Sequence, residues 1–160
     1  MEPDRQHRLD EVARIAVDLE KSTGVPALLT VTQWAIESQW GAKPVGNNNF
    51  FGIKKADRHT QCCTVTTHEV LEGRRIRVEQ RFADYNSLED SCADYAWLIS
   101  HGDPYREAWN RFKEHGLAWN LLVGVAYAYA TDPNYIGLAT KVASEPTVIL
   151  ALKDAYGATA

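Results

Sequence analysis

Apolar residues fall at helical spacing from the start of the chain. Leu9, Val12, Ala16 and Leu19 share one face, and Gly24 closes that helix. Pro26 suits the first turn of a second helix, which carries Leu28, Val31 and Ala35 inward and runs to Glu37, with Gly41 stopping it just beyond. Between Trp40 and Phe51 the composition turns to Gly, Pro and Asn, which reads as loop. The period then shortens to that of a strand. Cys63 to Val70 and Arg74 to Phe82 are β-type runs about a turn at Glu72-Gly73, and Ile76, Val78 and Phe82 alternate with Arg75, Arg77 and Arg81 as in a half-exposed hairpin. Ser87 with Asp90 resembles a capping box, opening a helix whose inner face is Leu88, Cys92, Tyr95 and Ile99.

Asp103-Pro104 opens another helix, with Tyr105, Ala108, Trp109 and Phe112 on one face and Gly116 at its end. Leu117 to Ala130 is apolar enough to be the central buried helix, and Asp132-Pro133 breaks it. Tyr135, Leu138 and Val142 start the next helix, and Pro146 begins the last, through Leu150 and Leu152. The pattern predicts a mainly α fold with a small β-hairpin, as one domain over 1–160, with no internal repeat or low-complexity linker.

Charge and composition narrow the partners. A hydrophobic content of 45% with 24% charged residues is that of a soluble globular chain. A formal net charge of -4 without a basic tail argues against nucleic acid, and Arg74, Arg75, Arg77 and Arg81 read as a solvated face. No apolar run approaches membrane-spanning length, so no membrane insertion is expected, and the charged start shows no secretory signal. Cys62, Cys63 and Cys92 make no disulfide framework, and free thiols are expected. Cys62 and Cys63 with His59 or His68 have no recognisable zinc-ligand spacing, so no metal or cofactor is expected.

Glu37 carries the candidate chemistry. Trp34, Ile36 and Trp40 crowd it, and it sits at the negative end of the helix dipole. Apolar burial and that dipole both favour the neutral acid, so a raised pKa is expected, as a general acid requires. Glycoside hydrolysis usually needs a second carboxylate across the scissile bond. Glu69 lies on the first hairpin strand, on a flap able to fold beside Glu37; Glu72, Glu79 and Asp84 are further candidates that spacing alone does not rank. Trp34, Trp40, Phe50, Phe51, Tyr127, Tyr129 and Tyr135 lie near predicted loops, where aromatic faces can take sugar rings. Tyr129 and Tyr135 flank a turn and read as site residues, whereas Trp97, Trp109 and Trp119 read as core.

Four segments carry a resemblance. AIESQWG, NNNFFGIK, TTHEVLEG ahead of RFADYNSLEDS, and YATDPNY occur in that order between about Gly24 and Val142. They resemble the glucosaminidase domain of glycoside hydrolase family 73, to which flagellar peptidoglycan hydrolases and bacterial autolysins belong. The resemblance implies a lysozyme-like helical fold with a small β-hairpin lobe over a peptidoglycan groove. It puts the general acid on Glu37, the β-lobe acid on Glu69 and the family tyrosine on Tyr129. Trp40, Asn49, Phe51 and Tyr135 become the expected substrate-binding residues, with the Asn49–Gly52 loop as a groove wall. The loop between the first two motifs is short here, which leaves Glu69 as base, as electrostatic support or as a partner only after closure.

The implied function is hydrolysis of β-1,4 bonds in the glycan strand, as an N-acetylglucosaminidase without cofactor. Water activated by Glu69, or the sugar's own N-acetyl oxygen, would attack the anomeric carbon, and Tyr129 would hold the acetamido group or that water. The alternatives are an N-acetylmuramidase, a lytic transglycosylase, or a non-catalytic glycan-binding module. A monomer acting in the periplasm or wall after export, injection or lysis is expected. Injection by a type VI secretion system would add a cognate immunity protein plugging the cleft, while a phage lysin would not.

Overall fold

A computed structural model describes residues 3–130 and 132–159; the side chain of Glu69 lies outside the described set. Helix α1 (Pro3–Thr23) and helix α2 (Ala27–Glu37) precede strands β1 (Cys62–Leu71) and β2 (Arg74–Ala83). Helices α3 (Leu88–His101), α4 (Arg106–His115), α5 (Ala118–Tyr129), α6 (Tyr135–Ala143) and α7 (Pro146–Ala158) follow, with a short 3-10 turn at Asp103–Tyr105 before α4. This is the mainly helical, lysozyme-like fold with a small β-hairpin lobe that the pattern and the resemblance predict.

The central helix is α2, not α5. Ala27 and the run from Leu29 to Ala35 are buried all round, and α2 packs against α1, α3, α5, α6 and α7. Trp34 is its largest buried side chain; truncation to alanine would cost about 3–5 kcal/mol. Helix α5 buries only Leu121, Leu122, Val125 and Ala126, and leaves Leu117, Trp119 and Tyr127 exposed beside or along it. Its higher hydropathy comes from apolar residues on the outer face. Helix α2 hides its centrality because Thr30, Thr32 and Gln33 are polar yet buried. Of the three tryptophans expected in the core, Trp109 is buried, while Trp97 and Trp119 are each 43% exposed.

The chain stops α2 before Gly41 is reached. Gln39 and Trp40 both take left-handed backbone, with φ of 51° and 60°. That conformation costs a side-chain-bearing residue roughly 1–2 kcal/mol. Four contacts hold it: Trp40 N donates to Ala35 O at 2.9 Å, Arg8 Nε donates to Trp40 O at 2.9 Å, Ser38 Oγ donates to Trp34 O at 2.6 Å, and Gly41 N donates to Ser38 Oγ at 2.8 Å. The Arg5 guanidinium lies 3.5 Å over the Trp40 ring, whose edge meets Trp34 at 6.4 Å between centroids. Trp40 is thus committed to α1.

Strands β1 and β2 pair from Cys62↔Ala83 to Leu71↔Arg74 across a two-residue turn. Both turn residues, Glu72 and Gly73, have positive φ, the geometry whose twist matches a hairpin. The ribbon packs little on the helices and is rooted at its base. There Lys55 N donates to Arg81 O and Ala83 N to Ile53 O, each at 3.0 Å. Beside this root, Asp94 of α3 accepts from Arg58 Nε at 3.0 Å, His59 Nε2 at 2.8 Å and the Tyr85 hydroxyl at 2.5 Å. Burial alone would raise the Asp94 carboxyl, but these donors together outweigh it and hold it below the usual range. Cys62, Cys63 and Cys92 are free thiols.

Candidate active site

Glu37 is the last residue of α2, so its carboxyl is carried on the buried central helix. Burial pushes the carboxyl above the ordinary carboxylate range; a hydrogen bond from Tyr135 partly opposes that rise. The Tyr135 hydroxyl donates to Glu37 Oε1 at 2.5 Å. The other oxygen, Oε2, faces Gly52, where a β-carbon would stand 3.6 Å away. Gly52 has φ of 64°, a backbone conformation that suits a glycine.

Tyrosines surround the acid. Tyr129 stacks on Tyr135 at 6.4 Å between centroids and meets Tyr105 at 6.1 Å and Tyr95 at 6.3 Å. Burial is the main cause that raises all four phenols, Tyr105 to about 12, and the nearby Glu37 charge adds to it. The cluster is therefore a ring of neutral hydroxyls around one acid. Behind it runs a buried polar chain: the Tyr95 hydroxyl donates to Gln33 Oε1, and Gln33 Nε2 donates to the Tyr135 hydroxyl at 3.2 Å.

The residues expected from sequence meet different fates. Tyr135 is 8% exposed and touches Glu37 directly. Tyr129, half-buried at the end of α5, donates its hydroxyl to the Phe51 carbonyl oxygen, which ties α5 to the loop that carries Gly52. Asn49 and Phe51 present no surface for a sugar. Asn49 Nδ2 donates to Ile53 O at 2.9 Å and Ala83 O at 2.8 Å, and Asn49 Oδ1 accepts from Ile53 N at 3.1 Å and Phe51 N at 3.4 Å. Asn49 therefore clamps the loop to the hairpin root. Phe51 is fully buried and stacks on Tyr95 at 4.4 Å. Trp40 is half-buried, with the Arg5 guanidinium over its ring.

Glu69 sits on β1 opposite Ile76, near the hairpin tip. It is seven residues from Cys62 at the root, about 23 Å along the ribbon at the usual strand rise. Its side chain lies outside the described residues. Thr131 of the YATDPNY turn also lies outside them. Gln33 was missed from sequence. Its signal is the spacing of four from Glu37, which puts the two on one helix face.

Comparison with known proteins places this arrangement in a family. The family model described as mannosyl-glycoprotein endo-beta-N-acetylglucosaminidase matches residues 13–146. The chain is 34% identical over 123 residues to the peptidoglycan hydrolase FlgJ of Vibrio parahaemolyticus, covering 72% of this chain and 39% of that protein. It is 30% identical over 142 residues to the exo-glucosaminidase LytG of Bacillus subtilis, covering 82% of this chain and 48% of that protein. The chain thus spans less than half the length of these curated relatives. Its fold matches a peptidoglycan hydrolase mutant from Sphingomonas sp. A1 with a TM-score of 0.74 at 27% identity, covering 93% of this chain and 99% of that one. The acid at the end of α2, the glycine beside it and the two tyrosines of the YATDPNY segment are thus features of a chain that belongs to the glucosaminidase family, glycoside hydrolase family 73.

Proposed function

We propose that this chain is a peptidoglycan glycosidase that cuts β-1,4 bonds of the glycan strand, as an N-acetylglucosaminidase with Glu37 as general acid. The observation that carries the proposal is the Glu37 carboxyl itself. Burial raises its pKa, the end of α2 fixes its position, and its Oε2 is left facing Gly52. Such a group gives its proton to the glycosidic oxygen as the bond to the anomeric carbon breaks. Water then adds to that carbon and gives up a proton. Glu69, carried in on the ribbon, is the proposed base or electrostatic partner, and the sugar's N-acetyl oxygen is the alternative nucleophile. Tyr129 and Tyr135 line the acid's side of the groove. The names of the relatives, peptidoglycan hydrolase and exo-glucosaminidase, support the substrate and the bond.

Purified peptidoglycan tests this directly. Wild-type protein is expected to release fragments with reducing N-acetylglucosamine ends, and Glu37→Gln to release none while keeping its fold. Reducing N-acetylmuramic acid ends would move the assignment to a muramidase, a reading favoured by a 26% identical relative named as a probable N-acetylmuramidase from Lactococcus lactis. Action is proposed in the periplasm or wall. In the injected-toxin version of this reading, a cognate inhibitor plugs the Glu37 cleft and protects the producing cell.

A further inference from the structure

The chain Tyr95–Gln33–Tyr135–Glu37 has only one consistent direction. A tyrosine hydroxyl carries a single proton, and an amide offers one oxygen and one NH₂. The Tyr95 hydroxyl, fully buried, donates to Gln33 Oε1. That leaves Gln33 Nε2 as the end facing Tyr135, and it donates to the Tyr135 oxygen at 3.2 Å. The Tyr135 proton is then committed to Glu37 Oε1 at 2.5 Å. Turning the Gln33 amide over would set its NH₂ against Tyr95, whose own proton would then have no acceptor among the described residues. Gln33 is itself fully buried, so water does not relieve such a mismatch cheaply.

The direction matters at the acid. A carboxylic acid holds its proton on one oxygen. The oxygen that bears the acid proton is a weaker acceptor than the carbonyl-type oxygen. The bond from Tyr135 therefore favours Oε1 as the acceptor and the proton on Oε2, the oxygen that faces Gly52. We propose that Gln33 is a positioning residue which, through Tyr135, assigns the acid proton to Glu37 Oε2 and so aims it to the side of the carboxyl that faces Gly52. The proposal rests on Glu37 being the general acid. It adds a residue one helical turn behind it, which never touches substrate.

The test compares Gln33→Met, Tyr95→Phe and wild type on purified peptidoglycan, with reducing ends counted across pH. Gln33→Met matches the side chain's length but removes both polar ends. With the Tyr135 hydroxyl no longer directed, kcat is expected to fall by up to about tenfold at nearly unchanged KM. Weaker donation from Tyr135 to the ionised carboxylate also moves the alkaline limb of kcat to higher pH. Tyr95→Phe, which removes only the far donor, is expected to move that limb the same way by less. A merely structural role for Gln33 would lower thermal stability and leave the limb in place. The inference is overturned if the limb is unmoved in both variants; if Gln33→Met does not fold, Tyr95→Phe decides on the same criterion. An active Glu37→Gln would instead remove the general-acid reading itself, so the two failures are distinguishable.

Discussion

Tyr135 and Glu37 lie 98 positions apart in the chain, and the Tyr135 hydroxyl lies 2.5 Å from Glu37 Oε1. This single bond opposes burial, which alone would push the carboxyl higher. Tyr135→Phe leaves burial unopposed. The alkaline limb of the activity profile should therefore move to higher pH, while kcat falls about tenfold from lost orientation. A kcat profile between pH 4 and 9 checks it; a limb that moved down or stayed would contradict the account.

Stability should carry the opposite mark of the same group. The folded pKa of Glu37 lies above its ordinary value of 4.5, so the native state binds the proton more tightly than the unfolded chain. Its favourable contribution is whole below pH 4.5 and is lost as pH rises through the folded pKa. Glu37→Gln, neutral at every pH, should then gain melting temperature relative to wild type at pH 7 and gain little at pH 4. Thermal melts at the two values measure the difference.

Asn49 is predicted to matter for the fold rather than for sugar. Asn49→Ala takes one donor each from the Ile53 and Ala83 carbonyls and removes the acceptor of the Ile53 and Phe51 amides, and should cost about 3 kcal/mol in urea denaturation. Asn49→Asp should do no better, because two carbonyls then face an acceptor.

Gly52→Ala should separate stability from activity. The left-handed backbone at this position makes alanine cost about 1 kcal/mol. Its methyl group would also stand 3.6 Å from Glu37 Oε2 and cover the oxygen assigned to the proton. Release of reducing ends should fall well beyond the loss of folded protein, measured on the same preparation by circular dichroism.

At the hairpin root, Asp94 has a folded pKa below its ordinary value of 3.8. Its contribution is present above pH 3.8 and is lost as pH falls through the folded value. Wild type should lose more stability than Asp94→Asn between pH 5 and pH 3, read from urea midpoints.

The hairpin, its two-residue turn and the helix order were legible because each rests on local rules. Ile76 and Val78 alternate with arginines, and Ser87 accepts from Asp90 N as a helix cap should. What sequence misplaced depends on which side of an element meets the core. Tyr127 and Trp119 raise the hydropathy of α5 yet face out, whereas Thr32 and Gln33 lower that of α2 and face in. The same holds at the site. Glu37 was legible from its apolar neighbours and its motif, but Asn49 and Phe51 were read as groove wall because a motif does not say which of its residues supports and which is displayed. Their burial resolves them as supports for Gly52 and the hairpin root.

The two devices flanking the site differ in how they tolerate insertions and deletions. The ribbon from Cys62 to Ala83 can grow or shrink by a pair of residues on each strand and keep every side chain on its face. The stop at Ser38–Gly41 has no such freedom, since Ser38 and Trp40 bond to specific carbonyls and amides on both sides. One residue added within α2 ahead of Glu37 would swing the carboxyl by about 100° around the helix axis, away from Tyr135 and Gly52. Length variation among homologues should therefore gather in the ribbon, where it would change how much glycan the lobe spans, and be absent from the last turn of α2.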